Sequence, residues 1–310
     1  MLKRRQLLNQ IITAMLLLPG CVPAIQASGT SKETITVVAT TSYVADVVRA
    51  VGGDHINLVT LCGPGVDPHL YKPTPTDIAA MRNAKAIFYN GLHLEGKMTD
   101  VLVKMARSRV VLPITDGVPE ENLLESEEFE GNYDPHVWND PSLWKTTPLV
   151  VAGGLSEAAP KHAKDFTALA EDYSKKVGAL HEWCLTKAGE LPKERRILIT
   201  SHDAYNYLGR AYGFQVVAPQ GISTVTEAGA ADVVKTIDFI KENGVKAIFV
   251  ETSVSPKVVQ RIATDSGAKI GGEIFSDAMG ALGEMHGGFD TGTYEGLIKY
   301  NMSTIVNGLK

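Results

Sequence analysis

Cysteine is scarce in this chain of 310 residues: Cys21, Cys62 and Cys184 are all of it, and no Cys-x-x-Cys occurs. A cysteine-built zinc site is thereby excluded. There is no His-Glu-x-x-His element either, so the usual zinc-peptidase signature is missing. Positive charge is not in excess. The formal net charge is −5, and loss of Lys3, Arg4 and Arg5 with a leader makes it −8, three units lower. Nucleic-acid binding, which draws on clustered cations, is therefore not expected. The one continuous apolar run, 11–18, is too short to cross a bilayer. No unit of 20–50 residues repeats beyond a general likeness of the two halves, which sets aside solenoids.

The first feature present is a leader. Lys3, Arg4 and Arg5 precede the apolar run, and residues 1–20 read as a secretion signal. Leu18-Pro19-Gly20-Cys21 resembles a bacterial lipobox, with Cys21 as the lipid anchor; Ala27 offers an ordinary cleavage point instead. Both routes place the mature protein in the periplasm or on the cell surface. In that oxidising compartment Cys62 and Cys184 are either one disulfide or two buried thiols, and both readings stand.

From Thr34 onward, strand-like and helix-like stretches alternate. Strands are expected at 35–39, 56–61, 86–89 and 110–114, with helices through Val44, Val47, Val48 and Val51 and over 77–84 and 94–106. A second block follows: strands at 197–200, 214–218, 247–250 and 269–275, and helices from Tyr205 to Gly213 and over 231–243, 256–266 and 294–309. Such alternation implies parallel sheets with right-handed crossovers. Between the blocks Leu169, Tyr173, Val177, Leu180 and Cys184 recur at three- and four-residue steps, bounded by Pro160 and Pro192. This predicts a connecting helix over 156–190 between an N-terminal lobe, 34–155, and a C-terminal lobe, 195–310. Two stretches break the rhythm: an acidic segment, 117–132, read as solvated surface, and a glycine-rich loop, 280–292.

Four side chains carry the chemistry. His69 follows the strand at 56–61 in Gly63-Pro64-Gly65-Val66-Asp67-Pro68-His69, and His136 repeats the Asp-Pro-His element in Asp134-Pro135-His136-Val137-Trp138. His202, in Thr200-Ser201-His202-Asp203, and Asp277, in Phe275-Ser276-Asp277-Ala278, both follow strands of the second block. The carboxyl ends of parallel strands are where such sheets bind ligands. Three neutral imidazoles and one carboxylate suit a divalent transition ion. Capping of a following helix is the competing reading for Ser201 and for Asp277. Glu251, at another strand end, is a reserve ligand or a partner that orients His202.

Taken in order, Gly-Pro-Gly-Val-Asp-Pro-His, Asp-Pro-His-Val-Trp, Thr-Ser-His-Asp-Ala-Tyr and Phe-Ser-Asp-Ala-Met resemble the TroA-like zinc and manganese solute-binding proteins of bacterial ABC importers. The resemblance runs from Thr34 to Leu309. It implies two α/β lobes joined by a single long helix, with zinc or manganese as bound cargo in the cleft between them. It also implies His69, His136, His202 and Asp277 as ligands, a membrane permease as partner, and a monomer. Similar receptors for manganese or iron often have Glu at the third ligand, where this chain has His202. Dedicated zinc receptors often carry a His-rich loop where this chain is acidic. Two other classes use comparable residues: a secreted zinc hydrolase, which needs an open coordination position and a base, and a surface adhesin with a structural metal.

Overall fold

The computed structural model describes residues 34–126 and 131–310. The expected leader, Cys21 and Ala27 lie outside the described residues, as do Glu127, Glu128 and Glu130 of the acidic segment. Among the described residues no helix is long and apolar enough to cross a membrane.

In the first lobe the elements run β1 (Ile35–Ala39), α1 (Ser42–Gly52), β2 (Ile56–Thr60), α2 (Pro75–Asn83), β3 (Ala86–Tyr89), α3 (Thr99–Ala106) and β4 (Val110–Pro113). Three helices follow, α4 (Pro141–Trp144), α5 (Thr147–Ala158) and α6 (Ala163–Ala188). The second lobe contains β5 (Ile197–Ile199), α7 (Asn206–Tyr212), β6 (Gln215–Val217), α8 (Ala230–Glu242), β7 (Ala247–Glu251), α9 (Lys257–Ser266) and β8 (Lys269–Ile274). It closes with a hairpin, β9 (Met285–His286) and β10 (Phe289–Asp290), and α10 (Tyr294–Leu309).

The first sheet is parallel throughout, in the order β2-β1-β3-β4. Its strands show the two-residue alternation of a sheet covered on both faces. Val37 and Ala39 of β1 turn toward α1, α5 and α6, whereas Val38 turns toward Met81 of α2 and Leu102 of α3. In the second lobe β5 pairs with β6 and β7 with β8, both parallel, and β5 lies beside β7. Local signals start the helices: Thr74 and Asp77 form a capping box on α2, and Asp140 caps α4.

Helix α6 is the connector, but it starts later than the expected 156. Residues 156–158 finish α5, the chain turns at Ala159 and Pro160, and α6 runs on alone to Ala188. Helix α5 escapes a periodicity reading because its apolar residues are not confined to one face and Gly153-Gly154 lowers its propensity. Gly154 has a packing reason: a Cβ there would come within 2.8 Å of both Phe88 and Leu112, so glycine lets α5 approach the sheet. The glycine-rich stretch at 280–292 is also more ordered than a loop, because Gly287 and Gly288, at φ 56° and 85°, supply the two left-handed positions of a tight hairpin turn.

Helix α6 presents Phe166, Ala170, Val177, Leu180, Cys184 and Ala188 as one buried stripe. It touches α1, α4 and α5 on one side and α7 and α10 on the other. One apolar core thus runs from Val37 and Phe88 through this stripe to Phe249, Leu297 and Ile305. Cys184 belongs to that core and Cys62 to the cluster on the outer face of the first sheet, and both are free, buried thiols. The disulfide alternative is therefore set aside.

Candidate metal centre

Each of the four predicted residues sits at a place the backbone fixes. In both Asp-Pro-His elements the aspartate accepts the backbone N–H of the histidine two residues on: His69 N–H donates to Asp67 Oδ1 at 2.8 Å and His136 N–H to Asp134 Oδ1 at 2.9 Å. Proline between them has no N–H to compete and a fixed φ. The spare aspartate contacts then diverge. Asp67 Oδ2 accepts from Thr224 Oγ1 of the second lobe at 2.6 Å, while Asp134 Oδ1 also lies 2.7 Å from His136 Nδ1.

His202 is held by Glu251 in three ways. Glu251 Oε1 accepts the backbone N–H groups of Ser201 (2.6 Å) and His202 (2.9 Å), and Oε2 lies 2.6 Å from His202 Nδ1. Ser201 is not a helix cap: α7 begins only at Asn206, with Tyr205 at the cap position. Asp277 caps no helix either, since the chain after it runs to the β9–β10 hairpin. Ser276 is fixed from the first lobe and its border, its carbonyl accepting from Tyr43 Oη and from Trp138 Nε1, both at 2.9 Å.

These constraints bring His69, His136, His202 and Asp277 together, with one donor atom from each lying within 4.8 Å of the other three. The His69 and His136 Nε2 atoms are 3.4 Å apart. Asp277 Oδ1 is 3.4 Å from His136 Nε2, and its Oδ2 is 3.3 Å from His202 Nε2. All four residues are buried, His69 being the most exposed at 5%. Neither His202 Nε2 nor Asp277 Oδ1 makes a well-formed hydrogen bond; what holds them is the longer ion-pair contacts within the cluster itself. A cavity of about 370 Å³, lined by Leu92, His93, Tyr133, Pro135, Ile222 and Val225 among others, leads to His69. Glu251 does not share the cluster, because it occupies the opposite ring nitrogen of His202.

The electrostatics differ around the three rings. Burial, reinforced by the neighbouring imidazoles, pushes His69 down to about 3, so its ring is neutral with a free lone pair. Burial lowers His136 too, but Asp134 and Asp277 outweigh it and hold the ring up to about 9. His202 is likewise held well above the usual imidazole range against burial, by Asp277 and Glu251. Burial alone would raise Asp277, yet His202 and His136 keep its carboxyl well below the usual carboxylate range. The two raised rings thus flank a carboxyl that they hold low, so the charge preferences of the three groups are coupled. Asp134 was not singled out from the sequence. The signal for it was the duplicated Asp-Pro-His element, whose aspartate stands where a turn needs a side-chain acceptor.

A two-lobed α/β fold, a single connecting helix and a buried His3Asp cluster between the lobes define the class of metal-binding solute receptors. The family model of the periplasmic zinc-uptake complex component A, ZnuA, matches residues 37–308, and the chain belongs to this family. Among curated relatives, the manganese-binding lipoprotein MntA of Bacillus subtilis (strain 168) is 36% identical over 312 residues, covering 99% of this chain and 100% of its own. The zinc-binding protein TroA of Treponema pallidum (strain Nichols) is 41% identical over 278 residues, 88% of each chain. The solved structure of periplasmic TroA from Treponema pallidum superposes with a TM-score of 0.84 at 40% identity, covering 89% of this chain and 99% of that one.

Proposed function

We propose that this protein is the extracytoplasmic receptor of a metal ABC importer, capturing zinc or manganese between its lobes and delivering the ion to a membrane permease. His69, His136, His202 and Asp277 are the ligands in this reading, with 34–155 and 195–310 as the lobes that supply them. The observation that carries it is the convergence, in one buried cluster, of a donor nitrogen from each of three imidazoles on both oxygens of a single carboxylate. Family membership and the names of the relatives, one a manganese-binding lipoprotein and one a zinc-binding protein, support the same cargo.

The site does no chemistry in this reading. A hydrolytic zinc centre keeps one position for water, whereas here four protein donors converge and can fill a tetrahedron. The carboxylate adds a choice, since both Asp277 oxygens face imidazole nitrogens. One oxygen serves a tetrahedral zinc ion; both together give the higher coordination number that suits manganese. Equilibrium competition favours zinc by the Irving–Williams order. Anchoring through lipid on Cys21 and a monomeric state complete the proposal.

Metal-free protein titrated with zinc and with manganese tests it. Binding of one ion in the buried centre, with zinc displacing manganese in native mass spectrometry, is the expected result. Failure to bind either ion at micromolar levels, or metal-dependent turnover of ester or peptide substrates, would overturn it.

A further inference from the structure

Away from the cleft, three other metal-binding side chains converge on the first lobe. His55 lies in the short turn after α1, His162 in the turn before α6, and Asp165 in the first turn of α6. We propose that these three residues form a second site for a late transition ion such as Zn2+, independent of the buried centre.

The three donors lie within reach of a single ion. His55 Nε2 lies 3.1 Å and His162 Nδ1 3.9 Å from Asp165 Oδ2, and one donor atom of each residue is within 4.8 Å of the other two. The two imidazoles are stacked, centroids 3.9 Å apart and planes 26° from parallel, and both meet buried Phe166 edge-on. That packing holds the two donors side by side, and a shared ion would turn one ring out of the stack to bring both lone pairs onto it. As ligands, two imidazoles and one carboxylate form a donor set of net charge −1, suited to a divalent cation.

Exposure separates this site from the buried one. The side chains of His55 and His162 are 16% and 21% exposed and that of Asp165 59%. An ion reaches them directly from solvent, and water completes its coordination. The positive end of α6 opposes a cation here, and Asp165 offsets it. Binding is therefore weaker than in the cleft. The sites share no ligand: His55 lies at the start of β2, whereas His69 lies in the loop beyond its far end. Bound metal would pin the end of α1 to the start of the connecting helix.

Calorimetric titration of the metal-free mature chain with Zn2+ should show two steps, one tight and one weaker. His55→Ala/His162→Ala should keep the tight step and lose the weaker one, while His202→Ala/Asp277→Ala should do the reverse. Asp165→Asn, which alters an exposed side chain and leaves the stacked rings in place, should weaken the second step at least tenfold even if the double variant proves unstable. A single step in the parent chain up to about 100 µM free Zn2+, or a second step unchanged in Asp165→Asn, would overturn the proposal. Retention of the tight step in His202→Ala/Asp277→Ala would count against the cleft ligands and leave this site standing.

Discussion

His202 has a carboxylate at each ring nitrogen: Glu251 at 2.6 Å from Nδ1 and Asp277 at 3.3 Å from Nε2. Glu251 fixes the ring through Nδ1 and leaves Nε2 facing the cluster, the atom proposed above as a ligand. Removing the donor and removing its support should therefore differ in degree. His202→Ala should weaken zinc binding by more than 100-fold, and Glu251→Gln or Asp134→Asn by about 10–100-fold, the range for residues that orient metal-bound histidines. His181, which contacts Tyr212 outside the cluster, serves as control: His181→Ala should leave the dissociation constant unchanged. Equal losses in all four, read by competition with a chromogenic chelator, would refute the ligand assignment.

The same carboxylates set the pH response. His136 is raised from 6.5 to about 9, so in metal-free protein its proton contributes stability below about pH 6.5 that is lost as pH rises through about 9. Metal replaces that proton, and another on His202 if that ring is also charged. At pH 7 zinc uptake should release about one to two protons per ion, visible as buffer-dependent binding enthalpy. Affinity should fall steadily from pH 8 to pH 5. A flat profile, or no proton release, would contradict the arrangement of His136, His202 and Asp277.

Among the elements, α6 does most to set the spacing of the lobes. Its stripe from Phe166 to Ala188 is contacted by helices of both lobes, so truncation should weaken the whole molecule rather than one half. Phe166→Ala should cost about 3–5 kcal/mol in urea unfolding, with one cooperative transition retained. Two separate transitions would show that the lobes unfold independently. Helix α6 is legible in sequence because a charged outer face frames its stripe. Helix α5 is not, because its apolar residues extend around it and its glycines serve sheet contact rather than helix formation.

For the molecule as a whole, the continuous core and several cross-links limit how far the cleft can open. Tyr43 and Trp138 hold the Ser276 carbonyl, Asp67 holds Thr224, and Ser42 Oγ accepts the Met279 N–H at 2.8 Å. Scattering profiles with and without zinc should differ by less than about 1 Å in radius of gyration, as for binding between largely preformed surfaces; a wide closure would contradict the rigid connector. Chelation should still lower stability. At zinc concentrations near 1,000 times the dissociation constant, bound metal contributes about 4.1 kcal/mol, which a thermal melt with and without chelator would detect.

The alternation of β-branched runs with amphipathic stretches, and the punctuation by proline and glycine, made the parallel sheets, the connecting helix and the strand-end positions of His69, His202 and Asp277 readable from order alone. These are local properties, encoded within about ten residues of each position. Long-range partnerships are not. That Asp134 turns to His136 while its counterpart Asp67 reaches Thr224, that Glu251 takes the Nδ1 side of His202 and leaves Nε2 facing Asp277, and that Cys62 and Cys184 lie in separate cores all depend on how the two lobes meet across α6. Sequence spacing carries no information about those distances, because side chains 49 or 157 positions apart become neighbours only once the core has closed.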